Sequence, residues 1–167
     1  QQDESLEFKD KLGAPIMSVS CTAQNMTDSH VVREFTIKIG RTTKTITQLH
    51  YLSWNDHSSP EKPEFLHIFQ VYRDLNIAAQ QRCSQENSAV LQTAGLKQRP
   101  PAVLVHCSAG VGRTGTFICI DILINEIRQY GLDFYNLDIF HTILKLRSYR
   151  RKFVQNVQQY RFIHEFL

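Results

Sequence analysis

No apolar run in this chain approaches the roughly 20 residues that a helix needs to cross a bilayer. The opening stretch, QQDESLEFKD, lacks the basic start and apolar middle of a secretory signal. No internal repeat or low-complexity tract is visible, so neither a repeat array nor a compositionally biased tail is in view. The four cysteines show no CxxC spacing and no clustered histidine, which argues against structural zinc. Charge of one sign is also scarce. A formal +3 with a pI near 8.7 is too weak a bias to argue for nucleic acid, although it suits an anionic substrate. What is present, 167 residues with 42% hydrophobic and 21% charged, describes one soluble globular domain with a sizeable core.

The most informative stretch is His106 to Phe117, HCSAGVGRTGTF, in which five small residues separate a cysteine from an arginine. Before it, Pro101-Ala102-Val103-Leu104-Val105 follows a Pro-Pro boundary and reads as a buried strand ending at His106. A helix is expected after the loop. Gly110 and Gly112 let the backbone fold into a cradle whose successive N–H groups converge on one anion. That anion would sit at the helix N-terminus, where unpaired amides and the positive end of the dipole meet. The same field favours a thiolate at Cys107. Arg113 brings a planar fork that grips two phosphate oxygens, as lysine cannot, and Thr114 places a hydroxyl within reach of the sulfur. The candidate phosphate loop is Cys107, Ser108, Ala109, Gly110, Val111, Gly112 and Arg113. A lone cysteine is usually a small buried hydrophobe, and strand, glycine loop and helix also describe a nucleotide site. The Gly-Lys-Ser/Thr of the Walker pattern is missing, however, and cysteine, glycines and arginine in one register favour thiolate and phosphate.

Elsewhere strands come early and helices late. Residues 16–23 and 31–39 alternate as strands, and Lys38-Ile39-Gly40-Arg41-Thr42-Thr43-Lys44 reads as a hairpin connection into a strand over 44–52. A helix follows Ser59-Pro60-Glu61-Lys62-Pro63, with Phe65, Phe69, Tyr72 and Leu75 on its buried face. Residues 84–100, SQENSAVLQTAGLKQRP, read as a polar linker with one helical turn, inside the domain. After the phosphate loop, Phe117, Ile118, Ile120, Ile122, Leu123, Ile124 and Ile127 are apolar almost all round, so that helix should be central, with Gly131 as its stop. Asn136 is the expected cap of a helix carrying Leu137, Phe140, Ile143 and Leu144. A last helix follows Asn156, with Tyr160, Ile163, Phe166 and Leu167 inward. This order indicates an α+β or α/β fold.

The stretch HCSAGVGRTG resembles the signature loop of the protein tyrosine phosphatases, in the tyrosine-specific rather than the dual-specificity branch. Two further stretches agree, in family order. Thr47 to Pro60, TQLHYLSWNDHSSP, resembles the family's strand and mobile acid loop, usually Trp-Pro-Asp-His-Gly-x-Pro. Val154 to Phe162, VQNVQQYRF, is similar to its glutamine loop and last helix. The resemblance covers essentially the whole chain but only the C-terminal part of the family domain. Residues 1–167 are thus expected to be a single catalytic domain lacking the family's N-terminal part, including the phosphotyrosine-recognition loop. The resemblance implies a twisted mixed β-sheet flanked by helices, no cofactor and no metal, and phosphotyrosine-containing proteins as partners. It also implies a reducing, cytoplasmic setting, alone or as the intracellular part of a larger protein. Cys107 has to be free in that setting, which leaves Cys21, Cys83 and Cys119 as packing or tolerated surface thiols.

The roles carried over by resemblance are these. Cys107 attacks phosphorus and forms a cysteinyl-phosphate that water then hydrolyses. The loop amides and Arg113 stabilise the equatorial oxygens, and Thr114 steadies the sulfur as it leaves. Asp56 protonates the leaving phenolate and returns as base, with Gln155 and Gln159 orienting the water. Trp54 anchors the acid loop, and His57 is structural rather than catalytic. Arg147 and Arg150 fall where the family's arginines support the catalytic loops, whereas Arg151 and Lys152 read more simply as a solvated basic face. Asn55 stands where the family has proline and Ser58 where it has glycine, departures that bear on closure and strain of the acid loop. The implied function is phosphotyrosine hydrolysis in proteins. The alternative, motivated by Asn55 and the N-terminal segments not found, is a phosphotyrosine-binding, catalytically weak relative that sequesters substrates.

Overall fold

The structure is a computed structural model that describes residues 5–56, 58–94, 101–131, 133 and 136–167, the side chains of residues 86–94 excepted. The expectation for His57 lies outside the described residues, as does the end of the segment 84–100. Two compact units are distinguished, Gln1–Ser53 with Glu64–Gln92 and Trp54–Pro63 with Thr93–Leu167.

In the first unit β1 (Ser5–Lys9), β2 (Pro15–Met26), β3 (His30–Ile39) and β4 (Thr42–Tyr51) form an antiparallel meander in chain order. The strands expected over 16–23, 31–39 and 44–52 are β2, β3 and β4. Ile39 pairs with Thr42 across the β3–β4 turn, where Gly40 takes the positive φ of 56° that a two-residue hairpin favours. β1 lies in the polar opening stretch, where Leu6 and Phe8 alternate too briefly to announce a strand, and its residues all stay exposed.

Helix α1 (Lys62–Ala94) buries Phe65, Ile68 and Phe69, while Tyr72 and Leu75 are half-buried. Its Arg82 donates to the Thr47 hydroxyl at 3.4 Å and approaches Glu34 at 3.9 Å, which sets this face of α1 against β3 and β4. The linker expected from residue 84 is not one, because α1 continues to Ala94. No glycine or proline interrupts residues 64–94, and Gln and Glu are good helix formers, so polarity alone does not stop the helix.

The second unit is helical. Its centre is α2 (Gly112–Tyr130), with Cys119, Ile120 and Leu123 fully buried and with α3 (Ile139–Tyr149) and α4 (Val157–Phe166) packed on it. Burial of each such aliphatic side chain is worth roughly 1.5–3 kcal/mol, which makes α2 the rigid base of whatever its N-terminus carries. Gly131 ends α2 in the left-handed conformation, φ 64°, with its N–H on the Ile127 carbonyl. α3 begins later than Asn136 suggests. Asp138 is the cap, accepting from the His141 N–H, and the Asn136 side chain turns back to donate to Asp133 Oδ1 at 2.6 Å. The shift changes the inward face to Ile139 and Ile143, leaving Phe140 and Leu144 exposed. α4 has the expected cap, Asn156 Oδ1 accepting from the Gln159 N–H at 2.9 Å. Its deepest residues are Gln159, Phe162 and Ile163, with Tyr160, Phe166 and Leu167 half-buried.

Residues 101–107 carry no regular secondary structure and join no ladder, so the buried strand expected before His106 does not form. Val103 is 49% and Leu104 89% exposed. A β-branched sequence favours extension, but a strand exists only by pairing, and no described strand pairs with this segment. The four described strands are antiparallel, and with four helices they make the expected α+β class. Among the described residues no helix is long and apolar enough to cross a membrane.

Candidate active site

The loop from Cys107 delivers the chain into α2, whose N-cap residue, Val111, makes no side-chain capping bond. The amides at the helix start therefore remain for the loop itself. Gly110, at φ 66°, donates its N–H to Cys107 Sγ at 3.2 Å, a backbone conformation that a side chain would strain. The N–H groups of Val111 and Thr114 also reach the sulfur. The Thr114 hydroxyl, buried without a hydrogen bond of good geometry among the described residues, lies near enough to the sulfur to favour its thiolate. Burial is the largest single influence on the Cys107 thiol and acts to raise its pKa. The hydrogen bonds from the Thr114 hydroxyl and from the amides of Thr114, Val111 and Gly110 together outweigh it, bringing the pKa from an ordinary 9.0 to about 6. Cys119, on α2, shows the opposite balance: burial, helped by the charge of Glu126, pushes its thiol up to about 12. All four cysteines are free, and this environment sets Cys107 apart as a thiolate at neutral pH.

Arg113 leaves the first turn of α2 and ties the loop to Asp56. Nη1 donates to the Trp54 carbonyl at 2.8 Å, and Nη2 lies 2.9 Å from Ser108 Oγ and 3.0 Å from Asp56 Oδ1. Nε is buried with no hydrogen-bond partner among the described residues. Ser108 in turn donates to Asp56 Oδ2 at 2.9 Å, so carboxylate, hydroxyl and guanidinium close a triangle. Trp54 is buried, with its ring 6.5 Å from that of Phe162 and its Nε1–H on the Ser58 carbonyl at 2.9 Å. The Asn55 carbonyl accepts from the Ser58 N–H at 3.4 Å and from its hydroxyl at 2.8 Å. Ser58, in the place of glycine, has no positive φ and adds a bond to the turn instead of straining it.

Gln155 and Gln159 reach the same loop from α4 and the turn before it. Gln159 is 1% exposed, and its Oε1 accepts the Gln155 N–H at 2.9 Å. A Cβ on Gly112 would lie 2.9 Å from Gln159 Nε2 and 3.0 Å from Gln155 Oε1, so the glycine is what admits both amides. At Gly115 a Cβ would come within 2.6 Å of the Val154 backbone nitrogen. Gly110, Gly112 and Gly115 have the spacing of a G-x-G-x-x-G dinucleotide fingerprint, yet Gly112 and Gly115 make room for protein and not for a pyrophosphate.

Arg147 and Arg150 both support the loops. Arg150 donates from Nε to the Gly110 carbonyl at 2.8 Å and from Nη2 to the Ala109 carbonyl at 3.1 Å. Arg147 donates to the carbonyls of Phe153 at 2.8 Å and Val154 at 2.7 Å. In the turn between them Lys152 and Val154 take positive φ values of 66° and 55°. For a β-branched residue this is strain, and it is held by burial of Val154 and by the bond from Arg147 immediately before Gln155. Neither this strain nor the bridging hydroxyl of Ser108 is legible in sequence. A serine among small loop residues reads as one more amide donor, and neither lysine nor valine advertises a positive φ.

The site is a loop at the start of α2 in which backbone amides bond a cysteine sulfur of lowered pKa, with an arginine paired to a carboxylate beside it. The whole chain, residues 1–167, matches the family model described as Protein-tyrosine phosphatase, and the chain belongs to that family. It is 37% identical over 139 residues, 83% of this chain, to tyrosine-protein phosphatase non-receptor type ptp-2 of Caenorhabditis elegans. It is 34% identical over 147 residues, 87% of this chain, to tyrosine-protein phosphatase corkscrew of Drosophila melanogaster. With the human receptor-type tyrosine-protein phosphatase eta it shares 33% identity over 154 residues, 89% of this chain. The matches span 19%, 16% and 10% of the lengths of those three proteins.

Proposed function

We propose that this chain carries the catalytic machinery of a protein tyrosine phosphatase and hydrolyses phosphotyrosine in proteins through a cysteinyl-phosphate. The observation that carries the reading is the Cys107 sulfur, hydrogen-bonded as a thiolate by the start of α2 in the loop that also holds Arg113. The thiolate attacks phosphorus in line, and the bond to the tyrosine oxygen breaks as the sulfur–phosphorus bond forms. Arg113 Nε, buried and unpartnered among the described residues, and Nη2 form the edge of the guanidinium that takes two phosphate oxygens. Phosphate then replaces the Asp56 carboxylate at Nη2, and Asp56, in its protonated form, gives its proton to the leaving phenolate. In the second step water oriented by Gln155 and Gln159 attacks phosphorus, Asp56 takes its proton, and the sulfur leaves against the Thr114 hydroxyl. No step calls for a metal or a cofactor. Substrate proteins and an intracellular setting belong to the same proposal.

The rival reading, a binding protein with little turnover, has Asn55 as its support. The Trp54 carbonyl on Arg113 supports the enzyme, because it holds the acid loop against the phosphate loop with Asn55 in place. The deciding experiment is turnover of a phosphotyrosine peptide in the presence of chelator, with Cys107→Ser as control. The expected result is turnover by the parent protein and none by the variant, which still binds peptide. Equal rates in the two, or none in the parent, would overturn the reading.

A further inference from the structure

The Asp56 carboxylate has two oxygens, and they have different partners. Oδ1 faces Arg113 Nη2 at 3.0 Å, the contact that a substrate phosphate takes over, while Oδ2 accepts the Ser108 hydroxyl at 2.9 Å. The Asp56 side chain is 56% exposed and that of Arg113 22%, so the ion pair alone holds the carboxylate weakly. The hydroxyl is mounted more firmly. Just after Ser108, the carbonyls of Ala109 and Gly110 are bonded by Arg150, and the Gly110 N–H is bonded to Cys107 Sγ. Arg113 Nη2 donates to Ser108 Oγ at 2.9 Å, which takes one lone pair of that oxygen and leaves its proton for Asp56. A hydroxyl that accepts from a cation is polarised and becomes the stronger donor. When phosphate displaces Oδ1 from the guanidinium, the bond from Ser108 to Oδ2 does not pass through the lost contact. A donor on Oδ2 also leaves no room for a second hydrogen there. The proton of the acid form is therefore kept on Oδ1, the oxygen on the side where phosphate is seated.

We propose that Ser108 is a positioning residue for the general acid: its hydroxyl holds Oδ2 of Asp56 and so aims the protonated Oδ1 at the leaving phenolate. As the bond between phosphorus and the phenolic oxygen breaks, that oxygen keeps the electron pair and takes the proton from Oδ1, and the carboxylate left behind retains the bond from Ser108. The inference rests on the phosphatase reading, with Asp56 as acid, but can fail separately from it. The test is kcat/KM, which covers the steps up to departure of the phenol, for phenyl phosphate and for dinitrophenyl phosphate. It is measured in the parent protein, S108A, S108T, D56A and the double variant S108A/D56A, together with inhibition by inorganic phosphate and the pH dependence of Cys107 alkylation. S108A is expected to lose about 10- to 100-fold on phenyl phosphate, the scale of a misplaced catalytic group, and at least about fivefold less on the dinitrophenyl ester. S108T retains most of the phenyl phosphate rate, and in the D56A background removal of the hydroxyl costs less than about a further twofold. Inhibition by inorganic phosphate does not weaken in S108A, and the alkylation midpoint stays at about 6, as it would not in a distorted loop. No loss on phenyl phosphate, equal losses on the two esters, or additive losses in the double variant overturn the proposal. So does phosphate inhibition that weakens in step with the rate, because Ser108 would then grip the phosphate and not the acid. A D56A protein that keeps its phenyl phosphate rate removes the acid and the proposal with it. Absence of dinitrophenyl phosphate turnover in the parent protein overturns the phosphatase reading instead.

Discussion

The Asp56 carboxylate meets the Arg113 guanidinium at 3.0 Å, and Ser108 bonds both. The candidate acid therefore occupies the group that a substrate phosphate needs, and binding exchanges one anion for another at Nη2. Asp56→Ala removes both the competitor and the proton donor. Turnover of a phosphotyrosine peptide, whose leaving group is poor, should fall by about 10²–10⁴-fold, whereas an activated aryl phosphate such as a dinitrophenyl ester should slow far less. Rates on the two substrates check this. Equal losses on both, or none on either, would remove Asp56 as the acid and favour the binding-protein reading.

The Cys107 pKa near 6 predicts a pH profile. Because the folded value is depressed, the thiolate forms as pH rises through about 6 and is nearly complete by neutrality. The rate of alkylation by iodoacetamide should follow that titration and level off, while an ordinary thiol would still be gaining reactivity toward pH 9. Any stability that this thiolate confers is fully present above the ordinary value and is lost as pH falls through the folded one. Thr114→Val, which keeps the shape and deletes the hydroxyl donor, should move the alkylation midpoint upward. A midpoint unchanged by that substitution would show that the amides suffice. Cys119, pushed up to about 12, should be the last thiol to react in the folded protein.

How much of this was legible beforehand differs by element. The phosphate loop could be read because its chemistry is written in residue types at fixed spacing: Cys107, Gly110, Gly112 and Arg113 lie within one turn. The hairpin at Gly40 and the stop at Gly131 were legible because glycine announces positive φ. The strand before His106 was not foreseeable as unpaired, since alternation and branching describe the chain and say nothing of a neighbour. Polar composition hides the end of α1, because it resembles a loop although no glycine or proline breaks residues 64–94. Ser108 and Val154 lay beyond reach for a different reason: one acts through a contact 52 residues away in the chain, the other through a backbone angle that its side chain disfavours.

Gly115→Ala separates helix propensity from packing. In isolation the change should stabilise α2 by about 1 kcal/mol, since glycine is the poorer helix former. A Cβ there would lie 2.6 Å from the Val154 nitrogen and 3.0 Å from Phe153 Cα, both backbone atoms that can yield only by moving the turn. Overpacking of this kind costs roughly 1–3 kcal/mol, so the net sign should be destabilising. Denaturant unfolding measures it. Turnover should fall as well, because the displaced turn leads directly into Gln155.

Asn55→Pro tests whether the acid loop is limited by the freedom of its own backbone. Among the described residues the Asn55 N–H makes no hydrogen bond, so proline would remove no donor that is in use. Asn55 also has no positive φ, which is the first requirement for accepting the ring. Its carbonyl, which carries the bonds from Ser58, would remain. Where a site tolerates proline, the gain comes from a less varied unfolded chain and is about 0.4–1 kcal/mol. The same restriction should disfavour loop shapes in which Trp54 and Asp56 are away from Arg113. The expected outcome is a higher denaturation midpoint together with faster turnover of phosphotyrosine peptide, and no change in the Cys107 alkylation midpoint. Faster turnover without added stability would place the effect in loop closure alone. Added stability with unchanged turnover would show that closure does not limit the rate, and slower turnover would show that the asparagine is needed for the loop to move.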